Sequence, residues 1–465
     1  MATSAPARDR ALIQRLDAYL ATPGYVALVM ALALISNIFS AELPVYTLYA
    51  LVAVFIFVHG KDIAGLIPIL VGGYISPSVA NNPGKNADSV FTGFGGIYIG
   101  ILAGLMAAAC IYRIIRDRKQ FRGKKLRLLS GLLILSATYL LGGIGIPTYW
   151  ETLPNNLLFV ALQIGALCVP YVLLCCLVDW TRVRRDYFAW VGFFMGGVLL
   201  CQLLWIYLSA EVVIAGVINR ANIYTGWGIH NNIGAMLAMS IPFAFYLATK
   251  YHKGWLGTVI GSLFFLGTIL SCSRNAMLTG AAIYFMGIVL MLYYANNRRG
   301  NTIAAMVCIC VAAVVVIFFN QQLIRLFSDI IAIGFDPNSR DSLYTKGMKL
   351  FYEYPIFGGS FFSPSYKSWG WSTVEAFSSF FPPRWHNTFV QMLASCGVVG
   401  MAGYLFHRVQ TYRLVFHNHN KEKTFIGCAV LALLVCSLFD CHFFNVGPTL
   451  FYSAALAFGE HCHDK

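Results

Sequence analysis

Fourteen apolar segments, most of them about the length of a bilayer crossing, follow one another along this chain and leave few folds open to it. They fall at 24–41, 43–58, 63–79, 91–112, 126–146, 157–178, 187–209, 229–249, 255–272, 275–295, 302–319, 387–406, 424–440 and 446–458, the third and last being short. A helix needs about 20 apolar residues to cross the hydrocarbon core. With 58% hydrophobic and only 11% charged residues among 465, the chain holds more apolar surface than a soluble globule could bury. Every backbone polar group must find its partner inside lipid, so the expected fold class is all-α, a polytopic transmembrane helical bundle of 12–14 spans. We expect one integral membrane domain over 1–465, interrupted by a large extracytoplasmic loop at 320–386 that carries short helices.

The basic residues orient this bundle. Lys and Arg fall almost entirely in every second loop, most densely in 113–127, which holds eight of them. The positive-inside rule then sets both termini in the cytoplasm, with 24 Lys and Arg inside and nine outside. The net charge of +14 thus reports topology and contact with anionic membrane lipids, and calls for no nucleic-acid partner. The first segment lacks a small-residue cleavage site and is expected to stay as an anchor. Of the thirteen cysteines, most lie within spans (Cys168, Cys175, Cys176, Cys308 and Cys310 among them) and are expected to be buried apolar residues rather than disulfides. The chain contains no metal motif, P-loop or dinucleotide fingerprint, and no cofactor is expected.

Exceptions to the charge rule supply the candidate site. Arg220, Arg274 and Arg340 face the outer side, each beside Gly, Asn or Ser rather than in a charge run. Arg274 sits in SCSRNAM, in a turn between two spans with almost no loop around it. Ionisable groups at a membrane boundary are costly and point to function, with snorkelling as the ordinary alternative. Guanidinium forks match phosphate oxygens, so three such arginines resemble a phosphate clamp. Arg340 opens a helix expected over 340–353, with Ser339 as N-cap and Pro355, Gly358 and Gly359 as its stop. A cation there opposes the helix dipole and invites an anionic partner. His386, in PPRWHNTF on the same face, is the candidate general base, since imidazole titrates near neutrality. His230 is a weaker rival, and Asp336, Asp341 and Glu353 are carboxylate alternatives. Nine aromatics between 361 and 385 suit either an interfacial belt or a platform for sugar rings.

Four stretches resemble one family. NRANIYTGWGIHNNIGAMLAM, SCSRNAML, NSRDSLYTKGMKLFYEYPIFGGS and HNTFVQMLASCGVVG resemble, in order, motifs of the O-antigen ligase and O-antigen polymerase superfamily of bacterial envelope glycosyltransferases. Two departures stand out. Asn275 follows Arg274 where many members carry Gly, and Ser360 takes the last position of a Pro-x-x-Gly-x-Gly element. The resemblance covers about 215–405, and the N-terminal half matches only in hydropathy.

The resemblance implies a multi-pass enzyme of the bacterial inner membrane, with an undecaprenyl-diphosphate-linked glycan as donor and its active site on the periplasmic face. It implies metal-independent transfer with inversion. Carried over, it makes Arg220 and Arg274 the diphosphate binders and His386 the base. Asn387 would orient the His386 ring, and Arg340, Arg384 and Trp385 would line the substrate side. The acceptor is either lipid A core, for a ligase, or a second lipid-linked glycan, for a polymerase; a slight preference goes to ligase. A flippase of lipid-linked oligosaccharides is the rival from another class, but transport usually calls for charged groups near mid-membrane, whereas these cations gather at one face.

Overall fold

In the computed structural model the described residues are 7–78, 93–122, 124, 126–333, 340–362, 384–417 and 420–462. They are helical almost throughout. In chain order the helices are α1 (Ala7–Leu20), α2 (Pro23–Phe39), α3 (Glu42–His59), α4 (Leu66–Ile75), α5 (Gly93–Arg116), α6 (Leu129–Leu141), α7 (Pro147–Glu151), α8 (Leu153–Leu177), α9 (Tyr187–Ser209) and α10 (His230–Lys250). Then come α11 (Trp255–Leu270), α12 (Arg274–Tyr294), α13 (Arg298–Phe318), α14 (Asn320–Leu326), α15 (Ser328–Ile333), α16 (Arg340–Glu353), α17 (Thr388–Phe416), α18 (Lys421–Phe439) and α19 (Val446–His461). Two antiparallel hairpins, Val213–Ile214 with Val217–Ile218 and Tyr224–Thr225 with Gly228–Ile229, interrupt the run before α10.

This is a polytopic helical membrane protein. Among the described residues nine helices are long and apolar enough to cross a bilayer, or ten if the pair bent by 74° at α1 and α2 counts as one crossing. All fourteen apolar segments fold as helices, yet several are short. α4, α6 and α11 have 10, 13 and 16 residues, hence only about 15–24 Å of length against a core of about 30 Å. α6 stops early because Gly142 leaves the helical region and Gly143 takes a φ of +85°. α17 runs ten residues beyond the expected end at 406, so Arg408 lies on a helix and is 5% exposed, not in a cytoplasmic loop. All thirteen cysteines are free; Cys168, Cys175 and Cys176 are buried as expected, whereas Cys308 is half-buried and Cys310 exposed on α13.

The helices form two compact units, one of residues 1–124 with 173–330 and the other of 125–172 with 331–465. In the first, α10 is the central element: every residue from Ile233 to Thr249 is buried. Its small residues allow close packing, as at Gly234, where an added Cβ would come within 2.5 Å of both Ala276 Cβ and Ser271 Oγ. In the second unit α17 is central, and α16 packs on it through Leu350, Trp385 and Ala394. The expected helix over 340–353 is present with those bounds. Asp336, Ser339 and six of the nine aromatics (Tyr366, Trp369, Trp371, Phe377, Phe380 and Phe381) lie outside the described residues.

Candidate functional site

His386 is held between two helix ends of the second unit. α17 opens two residues after it, capped by Asn387, whose Oδ1 accepts from the N–H groups of Phe389 at 2.8 Å and Val390 at 3.2 Å. The same side chain donates through Nδ2 to the carbonyl of Leu438, at 2.7 Å, in the last turn of α18. One asparagine therefore fastens the start of α17 to the end of α18. Tyr344 of α16 donates to the His386 carbonyl at 3.2 Å. So constrained, His386 adopts a φ of +51°, in the left-handed region that costs a non-glycine residue about 1–2 kcal/mol.

What the imidazole meets across the two ends is Asp440, the residue that follows α18. His386 Nδ1 lies 3.2 Å from Asp440 Oδ1, with the imidazole 33% exposed and the carboxylate 8%. Burial works against charge on Asp440. The hydrogen bond from His386, the neighbouring His442 and His386 imidazoles and the Cys441 N–H, which donates at 2.7 Å, outweigh it and hold the carboxyl well below its usual range. An ionised Asp440 favours a proton on the facing Nδ1, and in the neutral ring with that tautomer Nε2 carries the lone pair. Such a ring can take a proton from a hydroxyl brought to its Nε2 side.

Around this pair the side chains are mostly cationic. Arg384 Nη1 donates to Asn445 Oδ1 in a short hydrogen bond, and Arg340 Nη1 donates to the carbonyl of Phe439 at 2.7 Å. His442, fully buried, has its pKa lowered first by burial and then by the charges of Arg384, Arg340 and His386, with Asp440 pulling the other way. Against Arg340, Arg384 and His386, Asp440 is the carboxylate of the turn. The arrangement suits an anionic ligand more than a cation. Among the described residues no cluster of three or more His, Cys, Asp or Glu side chains is placed to hold a metal ion.

Backbone packing braces the same region from below. Residues 355–360 run against a kink in α17 at Gly397, where φ is +64° and ψ −160°. Gly359 N–H donates to Ala394 O at 2.7 Å and Ser360 N–H to Ser395 O at 3.1 Å; in return Val398 N–H donates to Pro355 O at 2.9 Å and Val399 N–H to Ile356 O at 3.2 Å. A Cβ on Gly397 would lie 2.3 Å from Ile356 O, so only glycine permits this ladder.

The first unit carries the other two arginines. Arg220 opens a 3₁₀ turn capped by Asn219, and Arg274 opens α12, with Ser273 as its N-cap. Between α11 and α12 Cys272 takes a φ of +56°. Burial pushes its thiol up to about 11, while a hydrogen bond with Tyr207 and the charge of Arg220 act in the opposite direction. Arg220 is thus close enough to be felt two residues from Arg274. Both arginines are half-buried.

Residues 259–405 match the family model described as O-Antigen ligase. This segment is similar to O-antigen ligases. The match covers under a third of the chain and supports a likeness to membrane glycan ligases and polymerases. No curated protein matches the chain. Arg274, Arg340 and His386 lie inside the O-antigen ligase segment, while Arg220 and Asp440 lie outside it.

Against this frame the expected site residues divide. The second unit gathers Arg340, Arg384, His386 and Asn387 around the turn after α18, and Arg220 and Arg274 belong to the first. Asn387 does not orient the imidazole, since its side chain is engaged with Phe389, Val390 and Leu438; Asp440 does. Arg340 finds a helix carbonyl where an anion was expected. Trp385 is fully buried against Leu350 and Ala394, and Phe361 and Phe362 are buried too, so the described aromatics of the 361–385 stretch are core and not a sugar platform. Asp341 and Glu353 are exposed on α16, and His230 begins α10 in the other unit.

Three residues went unnoticed in the sequence: Asp440, His442 and Asn445. Their signal was available. The segment DCHFFN is a tight turn between two apolar segments that carries ionisable groups, the same property that singled out Arg274.

Proposed function

We propose that this chain is a glycosyltransferase of the ligase type. It moves a glycan from an undecaprenyl-diphosphate-linked donor to a hydroxyl of lipid A core at the periplasmic face of the bacterial inner membrane. The observation that carries this reading is the His386–Asp440 pair, a partly exposed imidazole whose Nδ1 lies 3.2 Å from a buried carboxylate. The step is a single displacement. The acceptor hydroxyl gives its proton to His386 Nε2 as its oxygen bonds to the anomeric carbon. The bond from that carbon to the diphosphate oxygen breaks, its electron pair leaves on undecaprenyl diphosphate, and attack from the opposite side inverts the configuration. The family resemblance alone assigns Arg220 and Arg274 to the diphosphate, where guanidinium groups would stabilise the charge that develops on the leaving group. Arg384 and Arg340 hold the turn that presents His386 and keep its surroundings positive.

The test uses the full-length protein purified in detergent with a lipid-linked glycan and, in separate reactions, lipid A core and a second lipid-linked repeat unit. Product on lipid A core is the expected result. Product only on the second repeat unit would make the chain a polymerase. No product on either acceptor, with active transport of the lipid-linked glycan after reconstitution in vesicles, would overturn the enzymatic reading in favour of a flippase.

A further inference from the structure

Two short stretches carry the His386–Asp440 pair, 385–387 leading into α17 and 438–441 leaving α18, and two side chains join them. Asn387 joins its own position to Leu438. The second tie is Gln391, four residues on in the first turn of α17, whose N–H closes that turn onto Asn387 O at 2.8 Å. Gln391 Oε1 accepts from the Trp385 N–H at 3.0 Å and from the Cys441 thiol at 3.6 Å, and Nε2 donates to Ser395 Oγ at 3.0 Å. Along the two stretches, 387 is tied to 438, His386 meets Asp440, and 385 is tied to 441. One tie therefore stands on each side of the pair.

Gln391, Ser395, Trp385 and Cys441 are all buried. A buried glutamine needs partners, and Ser395 with any nearby carbonyl would meet that need. Here the partners are the residue before His386 and the residue after Asp440. The backbone fixes the orientation of the amide: the Trp385 N–H can only donate, so Oε1 must face it and Nε2 turns to Ser395. Burial pushes the Cys441 thiol up to about 12, so it keeps its proton and can donate to the same oxygen. Backbone strain gives this tie its consequence. His386 holds a φ of +51°, a conformation that persists only where surrounding contacts impose it. The Trp385 N–H bond is such a contact on one side, and the Asn387 cap is its counterpart on the other. Without the first, residue 386 is free to relax towards an ordinary φ, which turns the imidazole away from Asp440.

We propose that Gln391 is a positioning residue for glycan transfer, holding the neighbours of His386 and Asp440 so that Nδ1 stays within hydrogen-bond reach of the carboxylate. It is buried and acts through the pair rather than on a substrate. The inference rests on the reading of His386 as the base, and the experiment separates the two.

Steady-state transfer by the full-length protein in detergent, from a lipid-linked glycan to the acceptor that gives product, is measured for wild type, Gln391→Met, Asp440→Asn and the double variant. Melting curves are run on the same preparations. Gln391→Met keeps the length of the side chain and removes its hydrogen bonds. It should lower kcat by about 10-fold or more, short of the loss of a general base, and leave KM for donor and acceptor within about threefold. In the Asp440→Asn background the same change should cost less than about threefold further, because residues that act through one contact are not additive. Gln391→Ala, which leaves room for a water at the Trp385 N–H, should give the same readings if the methionine variant does not fold. An equal loss in both backgrounds, an unchanged kcat, or loss of folded protein in both variants would make Gln391 a structural residue and overturn the inference. A wild-type kcat in Asp440→Asn alone would overturn the reading of the pair itself, and the inference with it.

Discussion

Replacing Asp440 by Asn tests the site at its most specific point. The carboxylate accepts from His386 Nδ1 at 3.2 Å and from the Cys441 N–H at 2.7 Å. An amide keeps an oxygen for Cys441 and nearly the same volume, so the turn should survive. Its NH₂, however, can donate to Nδ1, which moves the ring proton to Nε2 and removes the base. In an enclosed serine-protease triad that exchange costs about 10⁴-fold in kcat. His386 is one-third exposed, so water can partly satisfy a reoriented ring, and we expect a loss of about 10²–10³-fold, equivalent to about 3–4 kcal/mol. The KM for the lipid-linked donor should stay within about threefold, since neither Arg220 nor Arg274 is touched. The assay is steady-state glycan transfer in detergent, with melting curves run on the same preparations. A kcat within threefold of wild type would refute the orienting role. So would a loss of activity matched by a loss of folded protein.

The same substitution has a signed pH dependence. The Asp440 pKa is lower in the folded chain than in the unfolded one, so its ionised form contributes stability that is fully present above about pH 4 and is lost as the pH falls from there through the folded value. The difference in melting temperature between wild type and Asp440→Asn should be constant from pH 7 to pH 5 and shrink below pH 4, as circular dichroism melts can check. His386→Ala and Arg274→Ala should each abolish detectable transfer while the protein still inserts and elutes as wild type; activity of either purified variant at the wild-type level removes that residue from the mechanism. Ser360→Gly should change stability by no more than about 1 kcal/mol. It relieves a φ of +71°, worth about 1–2 kcal/mol, and loses a 2.9 Å hydrogen bond donated to Asn156 Oδ1, worth a similar amount, and denaturant titration reads the balance. Asn387→Ala removes an N-cap and the tie to Leu438, and should cost about 2–3 kcal/mol in stability together with a fall in kcat.

Hydropathy made the fold class legible because a membrane helix must be apolar along most of its length, and every apolar segment became a helix. It did not fix which helices are long. Gly142 and Gly143 end α6 through backbone geometry, and α17 continues past 406 because Arg408 is sheltered by Phe443, Tyr404 and Tyr452, residues contributed by three different stretches. Charge placement brought Arg220, Arg274 and His386 forward, since an isolated cation at a membrane face is an exception to a strong rule. The same rule passed over Asp440, because acids carry little topological signal. Trp385 misled in the opposite way: a tryptophan beside a candidate base suggests a ligand face, but only packing could tell that Leu350 and Ala394 cover it.

The pairing of His386 with Asp440 depends less on either residue than on the helix ends that present them. α18 ends at Phe439 with carbonyls in need of donors, and the two residues flanking the site supply them: Asn387 to Leu438 and Arg340 to Phe439. Both are therefore explained by the end of one helix, even though charge and position alone marked them as substrate ligands. Their contribution to transfer is indirect, through the distance between Nδ1 and the carboxylate. It follows that Arg340→Lys, which keeps a cation but loses the planar fork, should lower kcat far less than Asp440→Asn if the lysine still reaches Phe439 O. If Arg340 instead gripped the diphosphate, the same variant should raise the donor KM and leave the melting temperature unchanged. The ratio of those two effects separates an arginine that holds the protein from one that holds the substrate.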